Sequence, residues 1–405
     1  MTIGVGGSTI DQELAKLTDM TQGISAIGIE EYRQRQQKAC ALMAANGIQG
    51  IYLNAGTNLY YFTGLKWYAS ERLVGALLLA TGELMYVAPH FEQDSLTDFM
   101  LMDAPFHGWH EHESPYDLVV SLLARHGIES GKVAMDESAG FFLFDGLRNA
   151  APEINWVNGK VISAGCRMRK SPAEIALMQR AKEMTLEVHK ATARILKPGI
   201  STTEVTAFIN EAHKRVGAPQ GSSFCIVLFG LATSFPHGVK DPQILKENDW
   251  VLIDTGCLLN GYNSDITRTY CYGTPTARQR QMWQVEKAAQ LAAFNAAQLG
   301  KLCEVADYAA REVLEANGLG PDYQLPGLPH RTGHGCGLDI HEWPYLVRGD
   351  KTPLDVGMVF SNEPMLVLPG EFGVRLEDHF YMSDTGPKWF TQPSHSVDDP
   401  FGYQA

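Results

Sequence analysis

The chain has 405 residues, is 45% hydrophobic and 20% charged, and carries a formal net charge of −13. That balance excludes a disordered chain, and an acidic chain without a basic stripe is not expected to bind nucleic acid. The length suits two domains, and no run approaches the roughly 18 apolar residues of a membrane span.

Residues 1–10 lack the basic start and apolar core of a signal peptide. Residues 29–45 read as an amphipathic helix and residues 48–53 as a short apolar strand. An apolar run at 74–80, a Thr81-Gly82 turn and a second strand at 84–88 follow. Residues 118–125 read as helix, and Gly131-Lys132 leads into Val133-Ala134-Met135. This alternation predicts an α/β domain. In the loop after residue 106, His110-Glu111 starts like a zinc-binding helix, but Ser114 stands where a second histidine is needed. His107, His110 and His112 are therefore read as surface-loop residues. Residues 167–170 form the expected hinge.

Ser171-Pro172-Ala173-Glu174 is a capping box with proline at the first helical position, predicting a helix to about Leu196. Pro198-Gly199 stops it, and Ser201-Thr202-Thr203-Glu204 starts a second helix to about Val216. The plan recurs downstream, with helices at 276–299 and 302–316 separated by Gly300. Strand-rich segments follow each pair, at 222–229 with 250–272 and at 355–382. Two helix pairs each feeding a sheet predict a duplicated unit, with helices outside a mainly antiparallel sheet. The seven cysteines are scattered without a C-x-x-C, which points to free thiols and a reducing cytoplasm.

Five candidate ligands lie in this half: Asp254, Asp265, His334, Glu363 and Glu377. Buried carboxylates must be paired, hydrogen-bonded or bound to a cation. An oxygen-rich set with one imidazole and no thiolate suits a pair of divalent ions such as Mn, Co or Zn better than a structural zinc site. Asp254 ends the apolar run Val251-Leu252-Ile253, and Asn260-Gly261 supplies a turn before Asp265. Alone, these would be ordinary turn-flanking aspartates; four further candidates give them weight. His334 lies in His330-Arg331-Thr332-Gly333-His334-Gly335-Cys336-Gly337, whose glycines would let the backbone pass close to a metal or ligand. The Gly333-x-Gly335 pair lacks the rest of a phosphate loop, and Tyr345 replaces the second histidine of a zinc-binding helix begun by His341-Glu342. Arg375 shares a strand face with Glu377, either as a plain ion pair or as a clamp for a substrate carboxylate. The leading reading of these residues is a metallohydrolase.

Together the segments resemble the pita-bread metallopeptidase family, which holds methionine aminopeptidases, aminopeptidase P, prolidases and creatinase. The match runs over roughly residues 165–390, and Asn58-Leu59-Tyr60-Tyr61-Phe62-Thr63-Gly64 resembles the domain that precedes the catalytic one in creatinase and prolidase. The resemblance implies an α+β pita-bread catalytic domain at 166–405, with a curved antiparallel sheet, behind an α/β creatinase-like domain at 1–165. All five ligand positions carry the expected residue type, which sets the chain apart from creatinase. Gly261-Tyr262-x-Ser264-Asp265-x-Thr267-Arg268-Thr269 and His341-Glu342-Trp343-Pro344 are most similar to the proline-specific branch.

By that resemblance Asp254 chelates one metal, Asp265 and Glu377 bridge both, and His334 and Glu363 bind the second. Glu363 also takes a proton from the attacking water. His237 binds substrate, His341 hydrogen-bonds the scissile carbonyl, and Arg375 binds the terminal carboxylate of the substrate. The family tyrosine five positions after the first aspartate is missing, since Leu259 stands there. The implied activity is hydrolysis of the bond before proline in Xaa-Pro dipeptides, with two divalent ions per subunit. Aminopeptidase P activity on longer peptides, a lyase acting on dimethylsulfoniopropionate and a non-catalytic peptide-binding module are the alternatives. A homodimer is expected, with residues 67–72 of the first domain reaching the partner.

Overall fold

Ser171, Ser201 and Thr276 each start a helix by the same local device. The side-chain oxygen accepts the amide of the third helical residue, and the Glu174, Glu204 or Gln279 side chain returns to the capping amide. The helices run Pro172–Ile195, Thr202–Arg215 and Ala277–Ala296, and a fourth, Glu304–Ala316, packs beside the third. Gly300, at φ 77°, separates the last two.

The computed structural model describes residues 2–404, which form two compact units. The first unit covers residues 27–167. Its mixed sheet has the order Phe106–Trp109, Leu84–Pro89, Gly75–Leu79, Ile48–Asn54, Gly131–Met135, Ile154–Asn158. The centre of the sheet is buried on both faces, as continuous apolar runs require. Leu77, Val87, Val133, Val119, Leu123 and Leu147 belong to its core. His107 lies on the edge strand Phe106–Trp109 rather than in the loop beyond it. His110 and His112 do lie in that loop, with the His110 ring stacked on those of His90 and His112.

The second unit combines residues 2–26 with 168–404. Strands Ser222–Phe229, Trp250–Leu259 and Ile266–Cys271 form one antiparallel sheet. Glu342–Leu346, Gly333–Gly335, Val359–Asn362, Asp378–Ser383 and Gly386–Trp389 form a second. A single antiparallel bridge between Thr267 and Glu377 links them. The two helix pairs and two sheets are the duplicated plan predicted from the sequence. Residues 2–26 dock on this unit: Thr2 donates to the Gly273 carbonyl at 3.1 Å, and the Glu13 carboxylate is 2.7 Å from Arg194. No helix among the described residues is long and apolar enough to cross a membrane.

Candidate metal centre and its surroundings

The two sheets meet where the candidate ligands lie. Asp254 is on strand Trp250–Leu259, directly opposite Thr267. Asp265 stands one residue before strand Ile266–Cys271. The turn between the strands is made by Asn260 and Gly261, both at positive φ. From the second sheet come His334 on Gly333–Gly335, Glu363 just past Val359–Asn362, and Glu377 just before Asp378–Ser383. The amide of Glu377 donates to the Thr267 carbonyl at 3.1 Å, which fixes the seam.

At that seam, ligand atoms of Asp265, His334 and Glu377 all lie within 4.8 Å of one another. His334 Nε2 is 3.1 Å from Glu363 Oε1 and 3.8 Å from Asp265 Oδ2. His334 Nδ1 is 3.0 Å from the Gly335 carbonyl. That contact places a ring proton on Nδ1 and leaves Nε2 facing the carboxylates. The Asp254 carboxylate is held at 2.5 Å by Arg375 Nη2.

The electrostatics are those of a site built for cations. Burial first, then Glu377, Asp254 and Glu363, push the Asp265 carboxyl well above its usual range. Burial, then Glu363 and Asp254, do the same to Glu377. Burial raises Asp254 against the pull of Arg375. Glu363 goes the other way. Burial raises it too, but the His334 hydrogen bond and charge, with His330 and Arg375, hold it below the usual carboxylate range. Asp254 Oδ1, Asp265 Oδ1 and Glu377 Oε1 are buried with no hydrogen-bond partner. Orphaned acid oxygens facing one another are costly unless a cation joins them. This donor set, four carboxylates and an imidazole, fits divalent ions with a preference for oxygen and nitrogen.

Neutral groups orient the acids. Thr267 Oγ1 donates to Glu377 Oε2 at 2.6 Å and accepts from Arg375 Nε at 3.1 Å. Ser361 Oγ donates to Glu363 Oε1 at 3.2 Å and accepts the His334 amide at 2.9 Å. At the rim, His237 and His341 reach solvent. The His341 ring centroid is 4.2 Å from that of His334, edge to face. Arg375 Nη1 donates to the Pro236 carbonyl at 3.1 Å and so ties the His237 segment to the centre.

Two expectations change. Of the two roles open to Arg375, the ion pair is the one the geometry contains. Its guanidinium is 3% exposed and engaged by Asp254, Thr267 and Pro236, so no fork is left for a ligand. The glycines beside His334 answer to strand packing rather than ligand approach. A Cβ on Gly333 would meet the Ser361 carbonyl oxygen at 2.1 Å, and one on Gly335 the Glu342 oxygen at 2.7 Å. Tyr262, three residues after Leu259 and so expected on the opposite sheet face, does not stand in for the missing tyrosine: its hydroxyl donates to Glu174 Oε1 at 2.9 Å.

The sequence reading also missed residues. His379 is fully buried, with Nε2 3.6 Å from Glu377 Oε1 and 4.0 Å from Asp265 Oδ2, and neither ring nitrogen has a hydrogen-bond partner. Strand alternation from Glu377 would have found it. Glu286, inside helix Ala277–Ala296, is fully buried with both carboxyl oxygens unpartnered. Nothing in its local sequence marks it. His330 and Arg331 sit close enough for their charge to act on Glu363 and His341, respectively.

Residues 176–384 match Metallopeptidase family M24, and residues 35–169 match the Creatinase/Prolidase N-terminal domain. The crystal structure of dipeptidase PepE from Mycobacterium ulcerans is similar, with a TM-score of 0.85 and 31% identity over 92% of this chain and 99% of that one. A recombinant prolidase from Thermococcus sibiricus gives 0.80 and 28%, over 89% and 97%. An Xaa-Pro dipeptidase of Pyrococcus furiosus is 29% identical over 370 residues, 90% of this chain and 99% of that protein.

Proposed function

The chain belongs to Metallopeptidase family M24 and carries a creatinase/prolidase N-terminal domain; from that premise we propose that it hydrolyses the peptide bond before proline in Xaa-Pro dipeptides, using two divalent ions. The observation that supports this most is the buried cluster of Asp265, His334 and Glu377, flanked by Asp254 and Glu363. Proline specificity rests on the relatives named Xaa-Pro dipeptidase and prolidase.

In this reading Asp254, Asp265, His334, Glu363 and Glu377 hold the metals. When bound, such a pair supplies Lewis acidity and makes water a nucleophile near neutral pH. Glu363 accepts the proton of the attacking water, and its environment keeps it ionised for that task. His341 is pushed down to about 4, by partial burial and then by His334 and Arg331. A neutral imidazole at physiological pH can donate an N–H to the scissile carbonyl oxygen as negative charge develops there. His237, exposed near His341, contacts substrate. Arg375 holds Asp254 in place. A homodimer belongs to the same reading, as does a cytoplasmic location, to which seven free thiols are suited.

The test is a substrate panel on metal-stripped protein reloaded with Mn, Co or Zn. Ala-Pro, Ala-Pro-Ala and Ala-Ala are compared, with Glu363→Ala as the control. Release from Ala-Pro alone supports the proposal. Preference for Ala-Pro-Ala makes the enzyme an aminopeptidase, equal cleavage of Ala-Ala removes the proline requirement, and silence on all three overturns the peptidase reading.

A further inference from the structure

With Arg375 committed to Asp254, an Xaa-Pro dipeptide still brings a terminal carboxylate that must be recognised. The arginines around the site are mostly spent. Arg268 is paired with Asp378 at 2.7 Å, Arg311 with Asp307 at 2.9 Å, and Arg348 with Asp322 at 2.5 Å. Arg331 differs. Among the described residues no acid lies within ion-pair distance of its guanidinium, and no hydrogen bond of its side chain is found. Its guanidinium lies over the Tyr345 ring, whose centroid is 4.3 Å from Cζ.

That contact is what a carboxylate clamp needs. A guanidinium held over an aromatic face by the ring quadrupole is kept in place while its N–H groups stay open to a planar anion. The platform is itself anchored, because Tyr345 lies directly across the sheet from His334. Arg331 is partly exposed, so a solute can reach it. It precedes His334 by three residues, and its charge acts on His341. In a dipeptide the terminal carboxylate lies one residue beyond the scissile carbonyl, within about 4 Å along the chain. A group that binds it must therefore stand beside the group that binds the carbonyl. Charge points the same way: two divalent ions would balance the four carboxylates, and Arg375 and Arg331 would leave the site positive toward an anionic substrate end.

We propose that Arg331, seated over the Tyr345 ring, binds the terminal carboxylate of the dipeptide and so sets the preference for free dipeptides over amides and longer chains. This deepens the peptidase reading and rests on it. The residue is a specificity determinant; the chemistry of bond cleavage does not pass through it.

The test compares Ala-Pro with Ala-Pro-amide on wild type, Arg331→Leu and Arg331→Lys. Cleavage is measured on active protein, and calorimetric binding on the same variants carrying Glu363→Ala. A forked, charge-assisted pair corresponds to roughly 10- to 100-fold in affinity. Wild type is therefore expected to favour the acid by that factor, through KM with little change in kcat. Arg331→Leu should erase the preference by weakening the acid alone, and Arg331→Lys should keep part of it. Equal losses on acid and amide, an unchanged ratio in Arg331→Leu, or no preference in wild type would each overturn the proposal. Arginine-dependent binding of Ala-Pro without any cleavage would sustain Arg331 while sinking the peptidase reading.

Discussion

Thr267→Val separates a residue that positions Glu377 from one that merely fills space. Valine keeps the shape and strand preference of threonine and removes one hydroxyl. That hydroxyl serves Glu377 Oε2 at 2.6 Å and Arg375 Nε at 3.1 Å, and Glu377 Oε1 already lacks a partner. Without metal, burial and then the neighbouring acids push the Glu377 carboxyl well above its usual range and so disfavour its charged form. The lost bond is then an ordinary one, and the metal-free protein should lose only about 1–2 kcal/mol. With metal the carboxylate is ionised, and a hydrogen bond to a charged group contributes about 1.5–3 kcal/mol. The difference appears as weaker metal binding, by roughly 10- to 100-fold, the usual range for an outer partner of a ligand. Competition titration against a chelator gives the affinity, and urea unfolding of stripped protein gives the stability. Thr267→Ser, which restores the hydroxyl, should recover most of both. Metal affinity unchanged within about twofold in Thr267→Val, despite lower stability, would refute the reasoning.

Three other perturbations have defined outcomes. Arg375→Met leaves Asp254 buried without its counter-charge and should cost the metal-free protein about 3–5 kcal/mol in urea unfolding, with Asp254→Asn as second substitution recovering much of it. His189 and His213 are buried and pushed down to about 3. The unfolded chain therefore takes up their protons first, so their contribution to stability is complete above about pH 6.5 and falls as pH drops toward 3. The slope is at most about 1.4 kcal/mol per pH unit for each histidine; urea midpoints across that window should be flatter in a His189→Gln, His213→Gln double variant. Ser171→Ala removes a capping oxygen from helix Pro172–Ile195 and should cost about 1 kcal/mol, visible as faster amide exchange in the first turn.

What could be read from the chain was whatever is encoded locally. The Ser171 and Ser201 boxes are four-residue signals, and the structure places helix starts there. The run before Asp254 is apolar because its strand is buried on both faces. Helix Thr57–Thr63 was not legible, since it begins after Gly56 with no side-chain cap. The candidate acids stood out because each flanks an apolar run or a turn. Their partners did not, because the seam joins residues far apart: Thr267 and Glu377 are separated by 110 positions. Arg331 stands beside His330 in the glycine-rich segment, yet only the ion pairs of Arg268, Arg311, Arg348 and Arg375 set it apart. Glu286 reads as one more polar residue of an amphipathic helix until the packing shows both of its oxygens enclosed.

The docking of residues 2–26 onto the second unit has a consequence for synthesis. Thr2 finds the carbonyl of Gly273 across 271 positions, and Ile3 finds that of Asp398. At roughly 5–20 residues per second, the segment made first waits on the order of 15–50 s for even the nearer of these surfaces to emerge from the ribosome. The helix surface that receives Gly6, Ser8 and Glu13, around Ala193 and Arg194, emerges earlier; until then residues 27–167 can fold alone, while the leading segment has nothing to pair with. Nascent chains halted before Arg194 emerges should therefore show a protease-resistant first unit and a leading segment that is still cut.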